Sequence, residues 1–255
     1  MHIDTHIHVD GMSEDELREM VSNGITRAIT CAYFPIEPNY TQTLIDLFTR
    51  LIDYDVPKVR EWGLNLHAAI GIHPRSIPKA GFYMIIEVMK TLYEHEFVVA
   101  FGETGLQLGS SKEIDALKSQ LELAKDFDFP IIVHTPSANK LKITEKTLPI
   151  IDNVRINPEL VVIDHVNEET MPKVDESGYN VGLTVQSGKL IPETAADLVL
   201  KYGDNNTIVL NSDNGFRKCN ITSVAQTIES LKSHGVEKNL LERISHRNAE
   251  KIFNL

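Results

Sequence analysis

His6 and His8 stand two residues apart in the stretch HIDTHIHVD, where Ile3, Ile7 and Val9 favour extended backbone. Side chains alternate between the two faces of a strand, so Asp4, His6 and His8 share one face. Burying that much polarity is costly unless hydrogen bonds or a metal satisfy it. Similar side chains recur downstream, each at or just past the end of an apolar run. They are His73 in GIHPR, Glu103 in FGETGL, His134 in FPIIVHT, Asp164 and His165 in LVVIDHV, and Asp213 in NSDNGF. Imidazoles combined with carboxylates suit transition-metal ions such as zinc, manganese, iron, cobalt or nickel better than a calcium cage. A purely hydrogen-bonded network needs no such number of imidazoles, so the set reads as a metal centre. The chemistry it permits is hydrolysis by a water molecule that a cation has acidified.

Residues this far apart meet only if the fold gathers strand ends. Short apolar, β-rich runs occur at 2–9, 25–33, 65–73, 97–106, 129–135, 160–166, 179–185 and 207–215. Between them lie amphipathic segments such as SEDELREMVSN and EIDALKSQLELAKDF, with apolar residues at helical spacing. Ser13 and Glu16 form a capping-box pattern at the start of the first of these. The alternation predicts a parallel sheet with helical crossovers. Eight units predict an α/β fold closed as one (β/α)8 TIM-type barrel, a single domain over residues 1–255. An open doubly wound sheet is the alternative, but HVDGMSE after the first run has one glycine and no dinucleotide-binding loop. EKNLLERISHRNAEKIF reads as a closing helix or helix pair. In a barrel the C-terminal strand ends converge on one rim, where active sites form.

The order of His-x-His on the first strand, Glu103 on the fourth, His134 on the fifth, His165 on the sixth and Asp213 on the eighth resembles the amidohydrolase superfamily. Within it, GIHP, GETGL and the late RNAEKIF are similar to the TatD-like metal-dependent hydrolases, many of which are described as deoxyribonucleases. The resemblance covers nearly the whole chain. It implies two divalent ions, drawn from zinc, manganese, magnesium, iron, cobalt or nickel. His6, His8 and Asp213 would hold one, His134 and His165 the other, and Glu103 would bridge them. Donor number agrees, because six ligands exceed what one tetrahedral ion with an open position takes and suit two ions roughly 4 Å apart. The two carboxylates then supply −2 against +4 from the ions, leaving a positive pocket. The resemblance also implies that Asp213 acts as general base toward the attacking water. His73 and Arg75, at the rim of the third strand, are placed to grip a substrate phosphate. Asp4 and Asp164 read either as acceptors that orient the ligand imidazoles or as caps on rim backbone amides. The sequence leaves the TatD pattern at Thr135-Pro136, where many relatives have a cation, at Glu168 and Glu169 in VNEET, and in NSDNGF around the last ligand. These departures alter the substrate walls and spare the donors.

Composition bounds the substrate. The 255 residues include 25 Lys or Arg against 36 Asp or Glu, a net charge of −11. No extended basic surface is therefore expected for sequence-independent nucleic-acid binding, and the substrate is expected to be a small molecule or a nucleic-acid end. Cys31 and Cys219 are too few for a disulfide framework. The first residues lack the pattern of a secretory signal. No apolar run approaches the roughly 18 residues that span a bilayer, so no membrane association is expected and a cytoplasmic location is. Three readings of function follow. The first is a phosphoester or phosphodiester hydrolase of the deoxyribonuclease type. The second is a lactone or amide hydrolase with a neutral substrate, and the third is a metal-binding barrel without catalysis. A base beside open water, as Asp213 would be, speaks against the third.

Overall fold

The computed structural model describes residues 1–215 and 220–255; Cys219 lies outside them. Eight strands lie side by side in chain order, each parallel to the next. They are β1 (His2–Ile7), β2 (Ile25–Cys31), β3 (Asn65–Ile70), β4 (Val98–Gly105), β5 (Ile131–His134), β6 (Val161–Val166), β7 (Asn180–Thr184) and β8 (Ile208–Asn211). Each of the eight apolar runs contains one of them. β1 also meets β8. Thr5 Oγ1 donates to the Leu210 carbonyl at 3.1 Å, and the amides of His8 and Asp213 donate to the carbonyls of Asn214 and His6 at 2.7 and 2.8 Å. These bonds close the sheet into the expected (β/α)8 TIM-type barrel and exclude the open sheet.

Helices run back along the outside between successive strands, among them Glu14–Ser22, Ser111–Asp126, Lys140–Val154 and Pro192–Tyr202. The first is capped as its sequence predicts. The Ser13 amide donates to the Glu16 carboxylate at 2.7 Å, while the Glu16 amide donates to Ser13 Oγ at 3.3 Å. Apolar residues fill two spaces. The larger lies between sheet and helices, where Leu17, Phe48, Leu117 and Leu231 are buried. The smaller lies inside the barrel, where Ile3, Val99, Val162 and Val209, from the starts of their strands, cluster with Ile252 and Phe253 of the helix Asn248–Phe253. RNAEKIF thus plugs one end of the barrel with apolar side chains, and the polar strand ends gather at the other. Among the described residues no helix is long and apolar enough to cross a membrane.

Candidate metal centre

The barrel brings together all six expected donors. His6 in β1 and His8 just past it present Nε2 atoms 3.1 Å apart. Asp213, following β8, places Oδ1 3.0 Å from His8 Nε2 and 3.8 Å from His6 Nε2. Glu103 of β4 divides its carboxylate: Oε1 lies 3.6 Å from each of those two Nε2 atoms, while Oε2 faces His134 Nδ1 at 3.1 Å and His165 Nε2 at 3.4 Å. A tetrahedral ion with bonds of about 2.0–2.1 Å holds its donors roughly 3.4 Å apart. The observed separations bracket that value, so the residues fit a divalent metal by type and by spacing.

Ring orientation decides which nitrogen is free to bind. His6 Nδ1 meets Asp164 Oδ2 at 2.6 Å, and His8 Nδ1 meets the Cys31 carbonyl at 3.0 Å. Both partners only accept, so the proton sits on Nδ1 and the Nε2 lone pair faces the cage. His165 Nδ1 is held by Thr184 Oγ1 at 2.7 Å. His134 is turned the other way, with Nε2 3.2 Å from Gln107 Oε1 and Nδ1 toward Glu103. His73 differs from these rings. Its donor atoms come near those of Glu103 and His134, yet its Nδ1 accepts from the Arg75 amide at 3.0 Å. A neutral His73 therefore carries its proton on Nε2, where it can donate but cannot ligate.

Asp164 and His165 are adjacent, so a regular strand would send them to opposite faces. The β6 backbone prevents this: its register with β7 slips between Ile163 and Val166, and His165 has φ +60°. His165 Nδ1 consequently lies 3.6 Å from the carboxylate of its own neighbour. Asp213 also occupies the left-handed region, at φ +50°. Such conformations carry a cost of order 1–3 kcal/mol in non-glycine residues and concentrate at functional sites.

Burial alone would raise the Glu103 carboxyl, but the imidazoles of His6, His73, His134 and His165 outweigh it and hold the group well below the carboxylate range. Asp213 and Asp164 are likewise held low against burial, Asp213 first by Lys189 and Asp164 first by His165. Burial lowers His165 to about 4 and His73 well below its usual value, so both rings are neutral near pH 7. Anionic carboxylates and neutral imidazoles are the forms that bind cations.

The two outer aspartates diverge. Asp164 touches the His6 ring, whereas the Asp4 carboxylate accepts from the His6 and Ser212 amides and from Ser212 Oγ, tying β1 to the segment after β8. The donors open on a cavity of about 300 Å³, with His73 in its wall and the exposed Arg75 at its mouth. Tyr33 packs its ring against His8 and His73. Glu168 and Glu169 are exposed and do not line this cavity. Sequence reasoning missed Gln107, Lys140 and Lys189. Lys189 Nζ lies 2.6 Å from Asp213 Oδ2, and Lys140 Nζ donates to the His165 carbonyl at 2.6 Å. Lys189 lies in the run TVQSGKL, which ends one of the two strands from which no functional residue was read, and its polar tail was the available signal.

Comparison with known proteins agrees with this geometry. A family model described as TatD related DNase matches residues 3–254. A curated relative, an uncharacterised metal-dependent hydrolase of Methanocaldococcus jannaschii, is 37% identical over 254 residues, covering 99% of this chain and 100% of the relative. A solved TatD-like protein from Archaeoglobus fulgidus is 39% identical, with each chain covered in full and a TM-score of 0.84. A phosphotriesterase homology protein from Escherichia coli, solved with phosphate in its active site, shares the fold at 14% identity. Its TM-score is 0.73, with 99% of this chain and 98% of that one covered. The family match and the end-to-end relative leave one assignment: this chain belongs to the TatD-related DNase family of metal-dependent hydrolases.

Proposed function

We propose that the chain hydrolyses phosphoester bonds, with His6, His8 and Asp213 holding one divalent ion, His134 and His165 a second, and Glu103 shared between them. The observation that carries this reading is the division of Glu103, whose Oε1 faces one histidine pair and Oε2 the other. Ions held there would supply a water acidified toward neutral pH and would draw charge from the phosphoryl oxygen. The protein's own groups do the rest. Asp213, whose side chain is 18% exposed at the cavity, accepts the proton that the water loses. His73 donates Nε2–H to a non-bridging phosphoryl oxygen, and Arg75 meets the part of the substrate that projects from the mouth. Asp164, Gln107, Thr184 and the Cys31 carbonyl keep the ligand rings in the binding tautomer.

Metal analysis and a panel of chromogenic phosphodiesters, phosphomonoesters and lactones test the reading together. About two ions per chain and turnover of phosphoesters are expected, with Asp213→Asn losing at least about 100-fold in kcat, within the range for a lost general base. Activity confined to lactones, or full turnover in Asp213→Asn, overturns it.

A further inference from the structure

An open groove of about 520 Å³ adjoins the mouth of the donor cavity, and the two share Arg75 and Gln107 in their walls. The loops after β2, β3 and β4 build it, and its apolar lining is Pro35, Ile36, Pro74, Ile77 and Leu108. Ile36 is 64% exposed and Leu108 78%, the highest value among the large apolar residues described. Neither is displayed by loose chain. The buried Glu113 carboxylate accepts from the amides of Gln107, Leu108 and Gly109 at 3.0, 2.9 and 2.7 Å, which pins the turn that presents Leu108. Lys112 Nζ donates to the Glu37 carboxylate at 2.5 Å and to the Ile77 carbonyl at 3.2 Å, tying the loops together at the groove. Ser76 Oγ donates to the Phe34 carbonyl at 2.6 Å and accepts from the Phe34 amide at 3.2 Å, which fixes the approach to Ile36. The same bonds settle the charges: Glu37 is paired with Lys112, and Glu113 is taken up by backbone amides. Arg75 stands at the end nearest the metal donors. A concavity of this size with apolar walls and polar groups at one end is the pattern of a ligand site. Among the described residues no aromatic ring lines it, so it has no platform on which a nucleobase would stack.

We infer that this groove is a subsite for an aliphatic chain, so the substrate class is a phosphate ester of an aliphatic alcohol, its phosphate at the donors and its chain passing Arg75 to lie against Ile36 and Leu108. The inference rests on the phosphoester reading above, and non-hydrolysable ligands separate the two. Methylphosphonate and hexylphosphonate are titrated calorimetrically into zinc-loaded protein, with metal content measured afterwards to exclude stripping. Each methylene removed from water tightens binding about fourfold, or about twofold when half of it stays wet, as in an open groove. Over its added carbons hexylphosphonate is therefore expected to bind about 30-fold more tightly than methylphosphonate. Ile36 and Leu108 are exposed, so replacing them leaves the fold intact. With Ile36→Ser and Leu108→Ser together the gap falls to about fivefold or less while methylphosphonate affinity holds. Ile36→Leu with Leu108→Met, which keep the apolar surface, preserve the gap. Methylphosphonate binding with no gain for the longer chain, or a gap unchanged in the double serine variant, overturns the subsite alone. No binding of either ligand overturns the subsite and the phosphoester reading together.

Discussion

Gly182 in β7 leaves the space that Asp164 occupies. A Cβ built there falls 2.3 Å from Asp164 Oδ1 and 3.2 Å from its Cα, where ordinary contact begins near 3.4 Å. In Gly182→Ala the carboxylate must retreat by about 1 Å, because the interior is too closely packed to yield elsewhere. Its other oxygen holds His6 Nδ1 at 2.6 Å, and a retreat of that size takes the pair beyond hydrogen-bond range. Losing the partner that orients a ligand histidine typically costs 10- to 100-fold in metal affinity, or about 1.4–2.7 kcal/mol. Overpacking adds about 1–3 kcal/mol of destabilisation, visible separately in a urea midpoint. Competition against a chromogenic chelator measures the affinity: zinc held by His6 and His8 should weaken 10- to 100-fold while the barrel stays folded. A folded Gly182→Ala with unchanged zinc affinity refutes the argument that Asp164 fixes His6.

Two further outcomes follow from other parts of the fold. Gln107→Leu removes the acceptor on His134 Nε2, so the ion proposed at His134 and His165 should weaken by about tenfold in the same titration while the one proposed at His6, His8 and Asp213 holds; unchanged affinity shows that Gln107 does not set that tautomer. His67 has both ring nitrogens buried without hydrogen-bond partners, and burial, with Arg60 and Arg27 nearby, lowers it to about 4. The unfolded ring titrates near 6.5, so between pH 6.5 and 4 the unfolded chain takes a proton that the native chain refuses. Stability therefore falls as pH falls through that window. His67→Gln should flatten the dependence of the urea midpoint on pH there, and an unchanged slope contradicts the assignment.

The sequence made the donors legible because each sits at a strand end, and period-two spacing alone puts His6 and His8 together. The same rule fails at Asp164 and His165, where only the slipped register and the left-handed backbone of His165 turn adjacent side chains into one site. Asp4 shares the histidines' strand, yet its carboxylate is taken by Ser212 across the β1–β8 seam, a pairing no local pattern encodes. The cations were the hardest to foresee. Thr135 carries no charge, but Lys140, five residues on at the start of a helix, brings Nζ to the Thr135 hydroxyl. Lys189 reaches Asp213 from the loop after the neighbouring strand β7, and loop conformation, which has no periodicity, decides such contacts.

The seam between β1 and β8 also sets the timing of assembly. Asp4 and Ser212, joined across it, are 208 residues apart in the chain. Synthesis delivers the strands in order, so His6 and His8 emerge early and wait for Asp213 until nearly the whole polypeptide has left the ribosome. An ion that needs all three cannot seed the barrel; it can only latch it shut once the last strand docks. Withholding metal should then leave the folding rate nearly unchanged and show itself in how fast the finished barrel reopens.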